Sequence, residues 1–131
     1  LSSAASDVYK RQLQTMTNAL YEAGINIWGS VTNDGAEYGI NRMVVSDPDK
    51  AKEVLTERGY LCRFVDVLAV EIEDKPGALN TLLTALLDSN VNVDYTYLSF
   101  NRDSSTPVMI LHTADPEEVE ICLKAKGFKM V

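Results

Sequence analysis

Residues 79–93 read Leu79-Asn80-Thr81-Leu82-Leu83-Thr84-Ala85-Leu86-Leu87-Asp88-Ser89-Asn90-Val91-Asn92-Val93, and their apolar period changes partway along. Leu79, Leu82, Leu83 and Leu86 recur at i, i+3, i+4 and i+7, which is the stripe of an amphipathic helix. From Val91 the period falls to two, placing Val91, Val93, Tyr95 and Tyr97 on one face of a strand. The same switch occurs 66 residues earlier, where Leu13-Gln14-Thr15-Met16 runs through Ala19-Leu20 to Gly24-Ile25-Asn26-Ile27. Further along the offset becomes 68: Asp47-Pro48 matches Asp115-Pro116, Leu55 matches Leu123, and Gly59-Tyr60 matches Gly127-Phe128. The repeating unit is about 65 residues, too long for a solenoid repeat and the size of a duplicated small domain.

Each copy has the same order of elements. After the helix and strand comes a turn, Asn33-Asp34-Gly35 in the first copy and 101–105 in the second, leading to strands at 38–45 and 107–112. Asp47-Pro48 and Asp115-Pro116 start a second helix, with Asp as N-cap and Pro at the first helical position, and Glu118 completes a capping box. Gly59 and Gly127 stop those helices, and 60–64 and 128–131 are closing strands. The second copy also opens with a strand, Leu68-Ala69-Val70-Glu71-Ile72, and the loop Glu73-Asp74-Lys75-Pro76-Gly77. Strand, helix, strand, strand, helix, strand is the split βαβ, ferredoxin-like order: an antiparallel sheet with both helices on one face. The fold class is therefore α+β, with two βαββαβ modules.

Composition fits two small soluble modules. The 131 residues are 46% hydrophobic and 24% charged, which disfavours disorder, and no apolar run reaches the ~20 residues of a membrane span. The net charge of −7 disfavours a nucleic acid or an anionic membrane as partner. Cys62, Cys122 and the single His112 leave little material for a disulfide framework, a metal site or a cofactor cage, so none is expected. A reducing, cytoplasmic setting is the default expectation.

The first copy differs at its start. Residues 2–12, SSAASDVYKRQ, look like the in-frame translation of a transposon-based sequencing-library adaptor, so 1–12 are expected to be non-native and are set aside from the fold. The first module is then 13–66, without its opening strand and Pro-Gly loop, and the second, complete module is 67–131. In this topology the opening strand is central. A module lacking it leaves backbone groups unpartnered and is expected to be poorly stable.

The run Val70-Glu71-Ile72-Glu73-Asp74-Lys75-Pro76-Gly77-Ala78-Leu79, followed by Asn90-Val91-Asn92-Val93, resembles the ACT domain, a small amino-acid-sensing module of metabolic enzymes. With Glu22-Ala23-Gly24-Ile25-Asn26-Ile27 in the first copy, the whole resembles stand-alone tandem ACT proteins of the acetolactate-synthase-regulatory-like kind. The resemblance implies two modules side by side and an amino-acid effector between the Pro-Gly loop of one and the helix-to-strand Asn of the other. The implied site is Asp74, Lys75, Pro76, Gly77, Ala78 and Leu79 facing Ile25, Asn26 and Ile27. A second, vestigial site would keep only Val91, Asn92 and Val93. The loop chemistry suits a carboxylate, because Gly77 permits close backbone approach and the helix then begins with free N–H groups near Gly77, Ala78 and Leu79. Asp74 or strand carbonyls would accept from the ammonium. Ile72 stands where serine-sensing relatives carry His, which leaves the identity of the amino acid open.

The implied function is allosteric modulation of a metabolic partner enzyme in amino-acid biosynthesis. The alternative is a ligand-independent interaction or oligomerisation module, pairing with an enzyme or a second copy. Catalysis is not expected: no nucleophile–base pair or metal-ligand spacing is evident, and His112 reads as a satisfied or surface histidine. An RNA-binding module would need a basic, aromatic-bearing sheet. A ferredoxin-like metal chaperone would need a C-x-x-C loop.

Overall fold

The computed structural model describes residues 3–34 and 39–131, with the side chains of 12–33 and 39–131. In chain order the elements are α1 (Ser3–Glu22), β1 (Ile27–Asp34), β2 (Gly39–Val45), α2 (Pro48–Glu57), β3 (Leu68–Glu71), α3 (Ala78–Asp88), β4 (Tyr95–Phe100), β5 (Pro107–His112) and α4 (Pro116–Ala125). They divide into two units, Leu1–Phe64 and Val65–Val131.

In the second unit the sheet order is β3-β5-β4, with both pairings antiparallel. Leu68 lies opposite Leu111 and Val70 opposite Met109. The closing residues add themselves beyond β3: the Glu71 amide donates to the Lys129 carbonyl at 2.9 Å, and the Val131 amide to that of Ala69 at 2.9 Å. The only ladder pairing there is the Val70–Met130 bridge, so the closing strand expected over 128–131 is reduced to its centre. The order closing segment–β3–β5–β4 is the split βαβ topology, with the opening strand inside the sheet.

Alternation along β3 and β5 sends Leu68, Val70, Met109 and Leu111 towards α3 and α4, where they pack with Leu82, Leu86, Val119 and Leu123. Val70, Leu82, Leu111 and Leu123 have no exposed surface. Burial of each is worth about 1.5–3 kcal/mol, so this set carries much of the unit's stability. Val91 and Val93 pack on the same core although regular pairing begins only at Tyr95; the strand expected from 91 starts four residues later.

The first unit uses the same devices. α1 packs Ala19 and Leu20 against Ile25, Val45, Ala51 and Leu55. The expected helix begins at 13, but α1 extends back to Ser3, since no Gly or Pro interrupts 3–22. β1 pairs antiparallel with β2 from Ile27–Val45 to Asp34–Gly39, with a bulge between Ile27 and Gly29. Residue 35 of the expected Asn33-Asp34-Gly35 turn lies outside the described residues, as does residue 38, the expected start of the next strand. Asp47 caps α2 as expected, its Oδ1 accepting from the Lys50 amide at 3.1 Å. Asp115 makes no such bond, so the expected capping box with Glu118 does not form; Glu117 and Glu118 instead place negative charge in the first turn of α4.

The expectation of a closing strand at 60–64 fails in this unit. Tyr60 and Cys62 still pack on the core, as Phe128 and Met130 do in the second unit, but 60–67 form no strand. The physical reason is visible in the second unit, where the closing segment pairs with the opening strand alone. The described residues of the first unit form a two-stranded sheet, β1-β2, which offers the closing segment no neighbour.

Candidate functional site

Strand β3 ends at Glu71, and Asp74 to Gly77 turn the chain into α3. Gly77, the N-cap, has φ 86° and ψ −6° and makes no side-chain cap bond. An L side chain at this left-handed position would be strained, so glycine is the residue that lets the turn enter α3 directly. Glycine also leaves the helix entrance without a side-chain acceptor. The Ala78 amide donates to the Lys75 carbonyl at 3.2 Å, and the Thr81 amide to that of Gly77 at 2.9 Å. Of the amides at this helix start, those of Leu79 and Asn80 have no acceptor among the described residues. The expectation of a free amide at Ala78 is corrected accordingly: the open pair sits one residue further on, because the turn itself uses Ala78.

Asp74, Lys75, Pro76, Gly77 and Leu79 are exposed and Ala78 is half-buried. Lys75 pairs with Glu73 across the turn, both side chains being mostly in solvent, an interaction worth under about 1 kcal/mol. Among the described residues the exposed Asp74 side chain has no partner, so its carboxylate is available as an acceptor. The loop therefore offers two amide donors at the positive end of a helix dipole and a free carboxylate beside them, a pairing complementary to a zwitterion.

The helix-to-strand turns are built alike in the two units. Gly24, with φ 73°, and Asn90, with φ 57°, end α1 and α3 in the left-handed conformation that Asn tolerates. The following amides turn back onto the helix: Ile25 to Leu20 and Val91 to Leu86, each at 2.9 Å. Ile25 is buried and Ile27 packs on its core, as Val91 and Val93 do on theirs, so Asn26 and Asn92 point outward between two anchored apolar neighbours. Ser46 holds Asn26 through its backbone, its Oγ accepting from the Asn26 amide and its amide donating to the Asn26 carbonyl, both at 2.9 Å. The amide side chain of Asn26 is left to solvent.

Two groupings escaped the sequence reading. His112 Nδ1 lies 2.8 Å from Asp94 Oδ2, and its ring stacks on Tyr95 with centroids 4.9 Å apart. These residues meet because β4 pairs Tyr95 with His112, a register that the strand patterns alone do not give. Glu71, almost enclosed, accepts from Asn101 Nδ2 at 2.7 Å and pairs with Lys129 at 3.3 Å, tying β3 to the β4–β5 turn and the closing segment. Cys122, expected as a small hydrophobe, donates to Ser89 Oγ at 3.0 Å. A shallow groove of about 390 Å³ on α2 is lined by Asp49, Lys52, Glu53, Thr56, Glu57 and Phe64 and shares no residue with the loop site.

A family model described as an ACT domain pair matches residues 5–130. The crystal structure of protein BT0572 from Bacteroides thetaiotaomicron is similar, at 27% identity and a TM-score of 0.81, covering 91% of this chain and 81% of that one. No curated protein matches. Among the described residues no helix is long and apolar enough to cross a membrane. Duplicated helix-to-strand turns, a Pro-Gly entry into α3 and a match across nearly the whole chain agree: the chain belongs to the ACT domain pair family.

Proposed function

We propose that this ACT domain pair, a regulatory small-molecule-binding domain, senses a free amino acid and passes the binding event to a metabolic partner enzyme. The observation that carries the reading is the helix entrance of the second unit, with the Leu79 and Asn80 amides open beside the Asp74 carboxylate. The α-carboxylate docks on those amides, Gly77 leaves room for it, and Asp74 receives the ammonium. Lys75, Pro76 and Ala78 shape the loop. Ile25, Asn26 and Ile27 of the first unit, and Val91, Asn92 and Val93 of the second, are the matching helix-to-strand turns that the resemblance assigns to amino-acid recognition. The chain acts as a cytoplasmic regulator without turnover of its own.

A thermal-shift panel of the twenty amino acids tests this. A ligand at 100 times its Kd adds about 2.7 kcal/mol of stability, well above the detection limit of such scans. Asn26→Ala and Gly77→Val should each abolish the response to the amino acid that gives it. If none of the twenty shifts the melting temperature, amino-acid sensing is wrong and a ligand-independent interaction module takes its place.

A further inference from the structure

Strand β4 is the outermost described strand on its side of the second unit's sheet, with β5 as its one partner there. The phase of that ladder fixes which main-chain groups of β4 face outward. The Asn101 amide donates to the Thr106 carbonyl at 2.7 Å, one step beyond the Phe100–Pro107 pair. Main-chain groups alternate in direction along an antiparallel strand, so Tyr95, Tyr97 and Ser99 turn theirs to β5. Thr96, Leu98 and Phe100 turn theirs to the edge, where no described strand meets them.

The side chains of these same three residues lie on the helix side of the sheet, since Thr96 stands opposite Leu111 and Leu98 opposite Met109, both core residues. They are nonetheless exposed, Leu98 by 51% and Phe100 by 55%. Helix α3 continues this surface. Its Leu82 and Leu86 face the core, and Ser89 on one flank meets Cys122 of α4. Leu79, Leu83 and Leu87, at i, i+4 and i+8, therefore form the flank away from α4, on the β4 side, and all three are exposed.

Edge and flank make one uncharged strip: 78–87 and 95–100 hold no Asp, Glu, Lys or Arg. An open edge strand beside exposed apolar side chains is a template for strand addition. The leucine and phenylalanine side chains offer roughly 500 Å² of apolar surface, less than the ~800 Å² per partner of a stable protein interface. A chain of net charge −7 also repels its own copy. Carboxylates bound the strip: exposed Asp88 and Asp94 where α3 stops and β4 starts, and exposed Asp103 beyond Phe100. Of the cations near that second end, Lys75 is paired with Glu73 and Arg102 has a partner of its own.

We propose that this strip docks one extended segment of a partner protein, apolar at alternate positions and flanked by Lys or Arg. The segment pairs its main chain with Thr96, Leu98 and Phe100. Every second side chain then lies on the helix side, against Leu98, Phe100 and the leucine flank of α3. The flanking cations meet Asp88 and Asp94 at one end and Asp103 at the other.

A labelled peptide alternating Val and Thr between terminal lysines, titrated into the full chain by fluorescence anisotropy, tests this. Saturable binding is expected, with hydrogen exchange slowed at the amides of Thr96, Leu98 and Phe100. Exchanging the lysines for glutamates should weaken binding about tenfold or more. Leu98→Lys and Leu87→Lys in the protein, both at exposed positions outside the core, should each do the same. Absence of binding up to millimolar peptide overturns the proposal, and so does equal binding of the glutamate peptide or by both variants. Protection of the 96, 98 and 100 amides already in the free chain would mean that another stretch of the chain fills the edge. A dimer in light scattering that Leu98→Lys dissociates would give the edge to a second copy. Either result overturns the proposal equally. None of these outcomes depends on an amino-acid ligand.

Discussion

Strands β2 and β5 occupy the same place in two copies of one module, yet they live in different environments. β5 has a hydrogen-bonded strand on each side and its central residues are buried; among the described residues β2 has one neighbour, and most of its length is half-exposed. At matching ladder positions β5 turns Met109 and Leu111 inward where β2 carries Asn41 and Met43. The difference therefore comes from the neighbours and from one polar position in β2. Apolar patterning selects which face a strand buries, and pairing decides how much of it is buried.

The largest test of this contrast is in the cores. Leu82→Ala should destabilise the second unit by about 3 kcal/mol, because Leu82 has no exposed surface and its cavity cannot refill easily. Met16, its counterpart, lies at the margin of the first core, and Met16→Ala should cost roughly 1 kcal/mol by denaturant titration. Equal losses would mean that the two cores are equally tight, and the contrast between the units would fail.

Next in size are the left-handed positions. Gly24→Ala should destabilise the first unit by about 1 kcal/mol, since φ there is 73°. Asn90→Gly should stabilise the second by roughly 0.5 kcal/mol, because Gly accepts the same conformation without strain. The helix caps give a smaller pair. Asp47→Ala removes a bond to the Lys50 amide and should cost about 1 kcal/mol, whereas Asp115→Ala, with no side-chain bond to lose, should stay within ~0.5 kcal/mol. The finest measure is hydrogen exchange. Amides of β5 should exchange more slowly than those of β2, and near-equal rates would show that β2 is protected by pairing absent from this structure.

Local signals carried most of the fold. The i, i+3, i+4, i+7 stripe, the period-two runs, Asp-Pro helix starts and Gly stops each depend on residues a few positions apart, and each marked an element that the structure contains. Boundaries moved where local chemistry was permissive, as in α1, which continues to Ser3 because nothing in its sequence stops it. The closing segment at 60–64 has strand-like residues but no strand, since a ladder needs a partner and a sequence window contains only one side of it. The candidate loop was legible from Pro76-Gly77 and the helix that follows. Which amides stay open was not, because that depended on the Lys75 carbonyl curling back to accept from Ala78. The His112–Asp94–Tyr95 grouping was hidden for the same reason, being a product of register.

By itself, then, the sequence determined a duplicated α+β unit, its helix starts and stops, and the residues each element turns inward, all of which follow from short-range periodicity and backbone preference. Tertiary structure alone decided which strands found neighbours, which helix amides remained open, and that Glu71 would be held between Asn101 and Lys129. Hydrogen-bond pairing is a relation between distant segments, and a pattern read along one segment does not contain it.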